Sequence, residues 1–168
     1  MSTPNASMNF QCQSNEVLSA ADAAAVGQNS VALTAFNAQV ALNSASATPV
    51  TVTCFMTATL VAGALVVDLT AAPKSIGSGT QDLTGKKLIG LILNNPAGNH
   101  AVTIGPDATN GYQLFGGTNT VTVPAGTSVV TRLQLYFGTA LPAVGGSAKR
   151  IDLSGTGTES FQLGMLFG

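Results

Sequence analysis

From Val50 onward the chain runs as short alternating apolar stretches, each stopped within a few residues by glycine, proline or asparagine. This pattern constrains the fold more than any other feature. A period of two puts successive side chains on opposite faces, which is the signature of a half-buried strand. In VTVTCFMTATLV, Val50, Val52, Cys54 and Met56 share one face and Thr51, Thr53, Phe55 and Thr57 the other. ALVVDLT follows after Gly63 as the second arm of an expected hairpin. KKLIGLILN sets Ile89, Leu91 and Leu93 against Leu88 and Ile92, so both faces are apolar, as in a central strand covered on both sides. HAVTIG, YQLF and NTVTV read as short strands. TSVVTRLQLYF points Val129, Leu133, Leu135 and Phe137 inward and Arg132, Gln134 and Tyr136 outward. KRIDLSG is a further strand, and in ESFQLGMLFG Phe161, Leu163, Met165 and Phe167 share a face.

Parallel strands would need helical crossovers, and nothing after Val50 has a helical period. The predicted fold class is therefore all-β, an antiparallel β-sandwich or jelly-roll-like domain spanning residues 46–168. Residues 1–45 are different. NEVLSAADAAAVGQN, Asn15 to Asn29, is alanine-rich with a polar start and a glycine stop, which suits a short helix or an extended arm. NSVALTAFNAQVALNSASATP leans towards strand, and Ser44 to Pro49 reads as a linker. Alanine buries little area, so such an arm docks weakly on its own body and is free to dock on a neighbour. Its expected anchors are Phe10, Val17, Leu18, Val31, Leu33 and Phe36.

Charge narrows the partners. Only 8% of residues are charged, against roughly 25% in an ordinary soluble protein. The chain is 45% hydrophobic, enough to fold. Its longest apolar run, Leu60 to Val67, ends at Asp68, far short of the roughly 20 residues of a spanning helix. A neutral, threonine-rich surface suits contact with other protein better than steering of charged ligands. Lys74, Lys86, Lys87, Arg132, Lys149 and Arg150 form no stripe, so neither nucleic acid nor membrane is an expected partner. The start MSTPNASMNFQC has no basic segment followed by an apolar block, which points to synthesis in the cytoplasm. Cys12 and Cys54 are expected as buried free thiols.

The stretch IGPDATNGYQLFGGTNTVTVPAGT, Ile104 to Thr127, looks most like a site. A calcium loop needs oxygen ligands at alternate positions and a distant glutamate. After Asp107 come Ala108, Thr109, Asn110 and Gly111, and the alternation fails. Asp107 is better read as a turn former, and Asn110–Gly111 as a hairpin turn. The glycines of GYQLFGG have no lysine or helix start behind them to cradle phosphate. His100, the only histidine, reads as a loop or strand-start residue, too isolated for a triad or a zinc site. Asp68, Asp82, Asp107, Asp152 and Glu159 offer no pair marked out for glycoside hydrolysis. No catalytic, cofactor-binding or metal residue is assigned, and no cofactor is expected. A sugar platform would have to rest on few aromatics; Tyr136, outward-facing beside Arg132, is the nearest to one. Tyr112 stays open between core and subunit rim.

One layout is familiar. A DLT strand end leads through a loop to KKLIGLILNN, then VTIGP, TNGY and VTVPAGT, and the chain closes on the apolar strand FQLGMLFG. Over roughly residues 50–168 this resembles small virion proteins encoded in tailed-bacteriophage structural gene clusters, of the capsid decoration or cement type. The resemblance implies a β-sandwich, often a homotrimer, on the outside of an icosahedral shell, with the major capsid protein as partner. The alternative on the same scaffold is a receptor- or glycan-binding module of a head or tail fibre.

Overall fold

The computed structural model describes residues 6–12, 15–17, 19–21, 24, 30–32, 36–43 and 45–168. Strands dominate. They are β1 (Ser7–Cys12), β2 (Asn15–Val17), β3 (Ser30–Ala32), β4 (Phe36–Ala41), β5 (Val52–Thr59), β6 (Ala64–Asp68) and β7 (Ala72–Pro73). Then follow β8 (Thr80–Gln81), β9 (Leu88–Asn95), β10 (Val102–Pro106), β11 (Val121–Val123), β12 (Thr131–Tyr136), β13 (Arg150–Ser154) and β14 (Ser160–Phe167). A 3-10 turn at Leu69–Ala71 is capped by the Asp68 carboxylate, and Ala20, Ala21 and Ala24 have helical backbone.

Two four-stranded antiparallel sheets form the body, in the orders β12-β9-β14-β5 and β11-β10-β13-β6. The pairing is nested: β5 with β14, β6 with β13, β9 with β12, β10 with β11. First meets last and innermost meets innermost, as in a long hairpin rolled over itself. That is the wrapping of an eight-stranded jelly roll, so the expected all-β class is what the chain adopts. Cys54, Leu91, Leu93, Phe161, Leu163 and Met165 from the first sheet meet Val67, Val102, Ile104, Val123, Ile151 and Leu153 from the second in one buried core. Each such large side chain stabilises the fold by roughly 1.5–3 kcal/mol on burial.

Several local expectations change. Gly63 does close a tight turn, with Val61 N–H bonded to Ala64 O at 2.9 Å and Ala64 N–H to Val61 O at 3.2 Å. Yet β5 and β6 are not hairpin partners; they enter opposite sheets. Asn110, at φ 62°, turns within the long connection from β10 to β11 rather than joining two strands, and residues 112–115 form no strand. Val129 is 67% exposed, because β12 begins only at Thr131 and the alternation cannot be extended back from it.

The β9 strand is covered on both faces, as its composition predicts, but the faces divide differently. Leu166 stands opposite Gly90 and Phe167 opposite Leu88, so Ile89 is skipped in a β-bulge. Leu88 thereby joins Leu91 and Leu93 in the core, while Ile89 turns to the outer face with Ile92. On that outer face lies a ribbon made of β1 and β4, which pair antiparallel from Ser7–Ala41 to Cys12–Phe36. β2 and β3 pair antiparallel with each other, from Asn15–Ala32 to Val17–Ser30.

Candidate functional site

The outer face of the β12-β9-β14-β5 sheet is built in cross-strand rows. Register sets Thr57, Gln162, Asn94 and Arg132 in one row and Phe55, Gly164, Ile92 and Gln134 in the next. Thr53, Leu166, Gly90 and Tyr136 make the third. The ribbon roofs the third row and part of the second. Met8, Leu42, Val50, Ile89 and Leu166 form a second buried cluster there, with Phe10, Val40 and Ile92 packed against it. Gly90 makes this possible: a β-carbon on it would lie 2.5 Å from the Met8 sulfur. Gln134 Nε2 donates to Asn9 O at 3.2 Å, and the Thr48 and Tyr136 hydroxyls share a 3.1 Å hydrogen bond.

The rest of the face is open. Phe55, 50% exposed, leans across Gly164, where a β-carbon would come within 2.6 Å of the ring. Its backbone is fixed from the sheet edge, where its N–H donates to Ser75 Oγ at 2.8 Å. Gln81 Nε2 ties the same edge to Thr53 O at 3.0 Å. Beside the ring, a polar chain crosses three strands. Arg132 Nε donates to Asn94 Oδ1 at 2.7 Å, and Asn94 Nδ2 donates to Gln162 Oε1 at 3.2 Å. Phe55, Ile92, Thr57, Asn94 and Gln162 surround a depression of about 420 Å³. A smaller one of about 260 Å³ lies on the ribbon side, towards Ala6 and Ser7. The ring of Phe55 stands between the two.

Of the arm residues singled out from sequence, Phe10 is half-buried against its own body, in the Met8–Leu166 cluster. Val17 and Val31 lie on the paired strands β2 and β3, and Phe36 on β4 opposite Cys12. The side chains of Val17, Val31 and Phe36 lie outside the described residues, as do Leu18 and Leu33 entirely. Sequence reasoning missed Phe55. Its outward phase on β5 is visible in the sequence, but not that Gly164, on the last strand of the chain, lies beneath it.

The other candidates resolve into structural parts. Tyr112 is fully buried; its hydroxyl donates to Pro142 O at 2.6 Å and accepts from Leu88 N–H at 3.2 Å. Burial pushes its phenol pKa up. Asp107 accepts from Thr109 N–H at 2.8 Å, a self-contained turn. It shares a hollow with Asp152, whose pKa is raised by burial first and by the Asp107 charge second. Among the described residues no group of three or more histidine, cysteine, aspartate and glutamate side chains gathers to hold a metal. Exposed His100 bonds Glu159 through its ring, at 2.6 Å, and through its backbone N–H. Cys54 is a buried free thiol, pushed up to about 11 by desolvation.

No family model, curated protein or solved structure matches this chain.

Proposed function

We propose that the protein is a virion structural protein that binds the outside of an assembled phage capsid and stabilises it. The observation that carries this reading is the ribbon. Residues 7–12 pair with 36–41 and residues 15–17 with 30–32, and the described apolar contacts to the body come from the first pair and its flank, at Met8, Phe10, Val40 and Leu42. A two-stranded ribbon is marginal in water on its own, so its distal part is suited to completion by a neighbouring subunit. The jelly-roll wrapping and the resemblance over residues 50–168 support the same role. A protein that binds the shell but not its free subunits favours assembly by mass action. The partners in this reading are the major capsid protein and two further copies of this chain.

The test follows from the geometry. Residues 15–32 are replaced by an Asn-Gly turn, which keeps the docked base of the ribbon intact. Light scattering then reports trimer, and co-sedimentation reports binding to shells of the encoding phage. Loss of both, with the β circular-dichroism signal unchanged, is the expected result. Undiminished shell binding would remove the ribbon from the interface, and a wild-type monomer with no affinity for shells would end the proposal.

A further inference from the structure

The open half of the outer face has a chemistry that the shell-binding reading does not use. A half-exposed phenyl ring stands on a sheet with its base held by Ser75 and its flank against Gly164. Next to it are side-chain amides whose hydrogen bonds leave capacity to spare. Among the described residues Gln162 accepts through Oε1 and has no partner for Nε2, and Asn94 Nδ2 uses one of its two hydrogens. Among the described residues Arg132 engages a partner only through Nε, which leaves its terminal donors available, and no carboxylate lies within 4.0 Å of it.

We propose that this half-face binds an oligosaccharide bearing an acidic group. One face of a pyranose is lined with C–H bonds and packs on an aromatic ring, while its edge carries hydroxyls that pair with planar amides. Phe55 supplies the ring contact. Gln162 and Asn94 supply the amides, already aligned by their own hydrogen bond and so ordered before binding. Arg132 takes the sugar's carboxylate or sulfate in the fork geometry that guanidinium favours. From β5 to β12 is three strand spacings, about 14 Å. That matches a short oligosaccharide laid across the strands rather than one sugar. The site is shallow and exposed, so affinity is expected to be modest and the acidic contact to weaken with salt. This inference does not depend on shell binding.

A mixed array of neutral and acidic glycans, followed by NMR titration with sialyllactose and with lactose, tests it. Binding of acidic sugars, with amide shifts centred on Phe55, Asn94 and Gln162, is expected. Phe55→Leu keeps the apolar bulk over Gly164 but removes the ring face, and should weaken binding roughly tenfold. Arg132→Gln should bring sialyllactose down to the level of lactose. Tyr136→Ala, on the roofed rows, should change neither. No binding across the array, shifts centred elsewhere, or full affinity in Phe55→Leu would each overturn the proposal. So would loss of shell binding in Phe55→Leu with no sugar bound by the wild type, which would mark this face as a protein interface instead.

Discussion

The ring of Phe55 occupies the space in which Gly164, its cross-strand neighbour, would carry a side chain: a β-carbon there would lie 2.6 Å from Cε1 and 2.8 Å from Cδ1. Gly164→Ala should therefore push the ring off the sheet. The backbone at Gly164 is ordinary strand and the ring can swing into solvent, so stability should change by no more than about 1 kcal/mol. Ring-current shifts at Ile92 report the displacement. Unchanged shifts would show that the ring needs no bare backbone beneath it.

Gly90 plays the same part for the ribbon, but with less room. An added β-carbon meets the Met8 sulfur at 2.5 Å and Leu166 Cδ1 at 3.4 Å, and Met8 is buried. Overpacking of this kind costs about 1–3 kcal/mol. Gly90→Ala should lift the ribbon before it harms the sandwich. Limited proteolysis between Asn43 and Pro49 should speed up while the urea midpoint of the body stays near wild type. Equal protease resistance would contradict the docking described.

The Tyr112 hydroxyl bridges the buried Leu88 N–H and Pro142 O, at the edge of the core. Tyr112→Phe leaves the buried Leu88 N–H without that partner, at a cost of about 1–3 kcal/mol. Urea denaturation measures it. The phenol also ties stability to pH. Because its folded pKa is raised, the contribution is complete below the ordinary tyrosine value of about 10 and is lost as pH rises through the folded value. A stability curve flat across that alkaline range would contradict this.

Glu159 titrates in the opposite sense. The His100 ring first, and its backbone N–H second, hold this carboxylate below the usual glutamate range. Its contribution is present above the unfolded value and is lost as pH falls through the folded one. An NMR titration should place the Glu159 midpoint below the ordinary glutamate value, with the His100 amide moving at the same midpoint. Glu159→Gln should abolish that movement. A midpoint at the ordinary value would leave the pair without consequence.

How much of this was readable beforehand depended on whether a pattern was local. In β14, Phe161, Leu163, Met165 and Phe167 all reach the core as their alternation demands. In β9 the same logic fails at Leu88 and Ile89, which exchange faces because the pairing with β14 skips Ile89 in a bulge that the alternation alone does not reveal. Tyr112 could not be placed because its partners are 24 and 30 residues away. The open face was hidden for the same reason: Phe55, Gln162, Asn94 and Arg132 become neighbours only once the register of four strands is set. Chemistry spread over four separate strands leaves no short motif to find.

The nested pairing also orders events during synthesis. β14 lies between β9 and β5, yet its residues leave the ribosome after those of both neighbours. Until Ser160–Phe167 emerge, β5 and β9 have no strand between them, and Leu91 and Leu93 lack the neighbours that β14 supplies. Closing such distant pairs is slow. A nascent chain halted just short of Ser160 should therefore behave as a client for chaperones, sticky and protease-sensitive, and release of the last strand should be the moment at which the sheet closes.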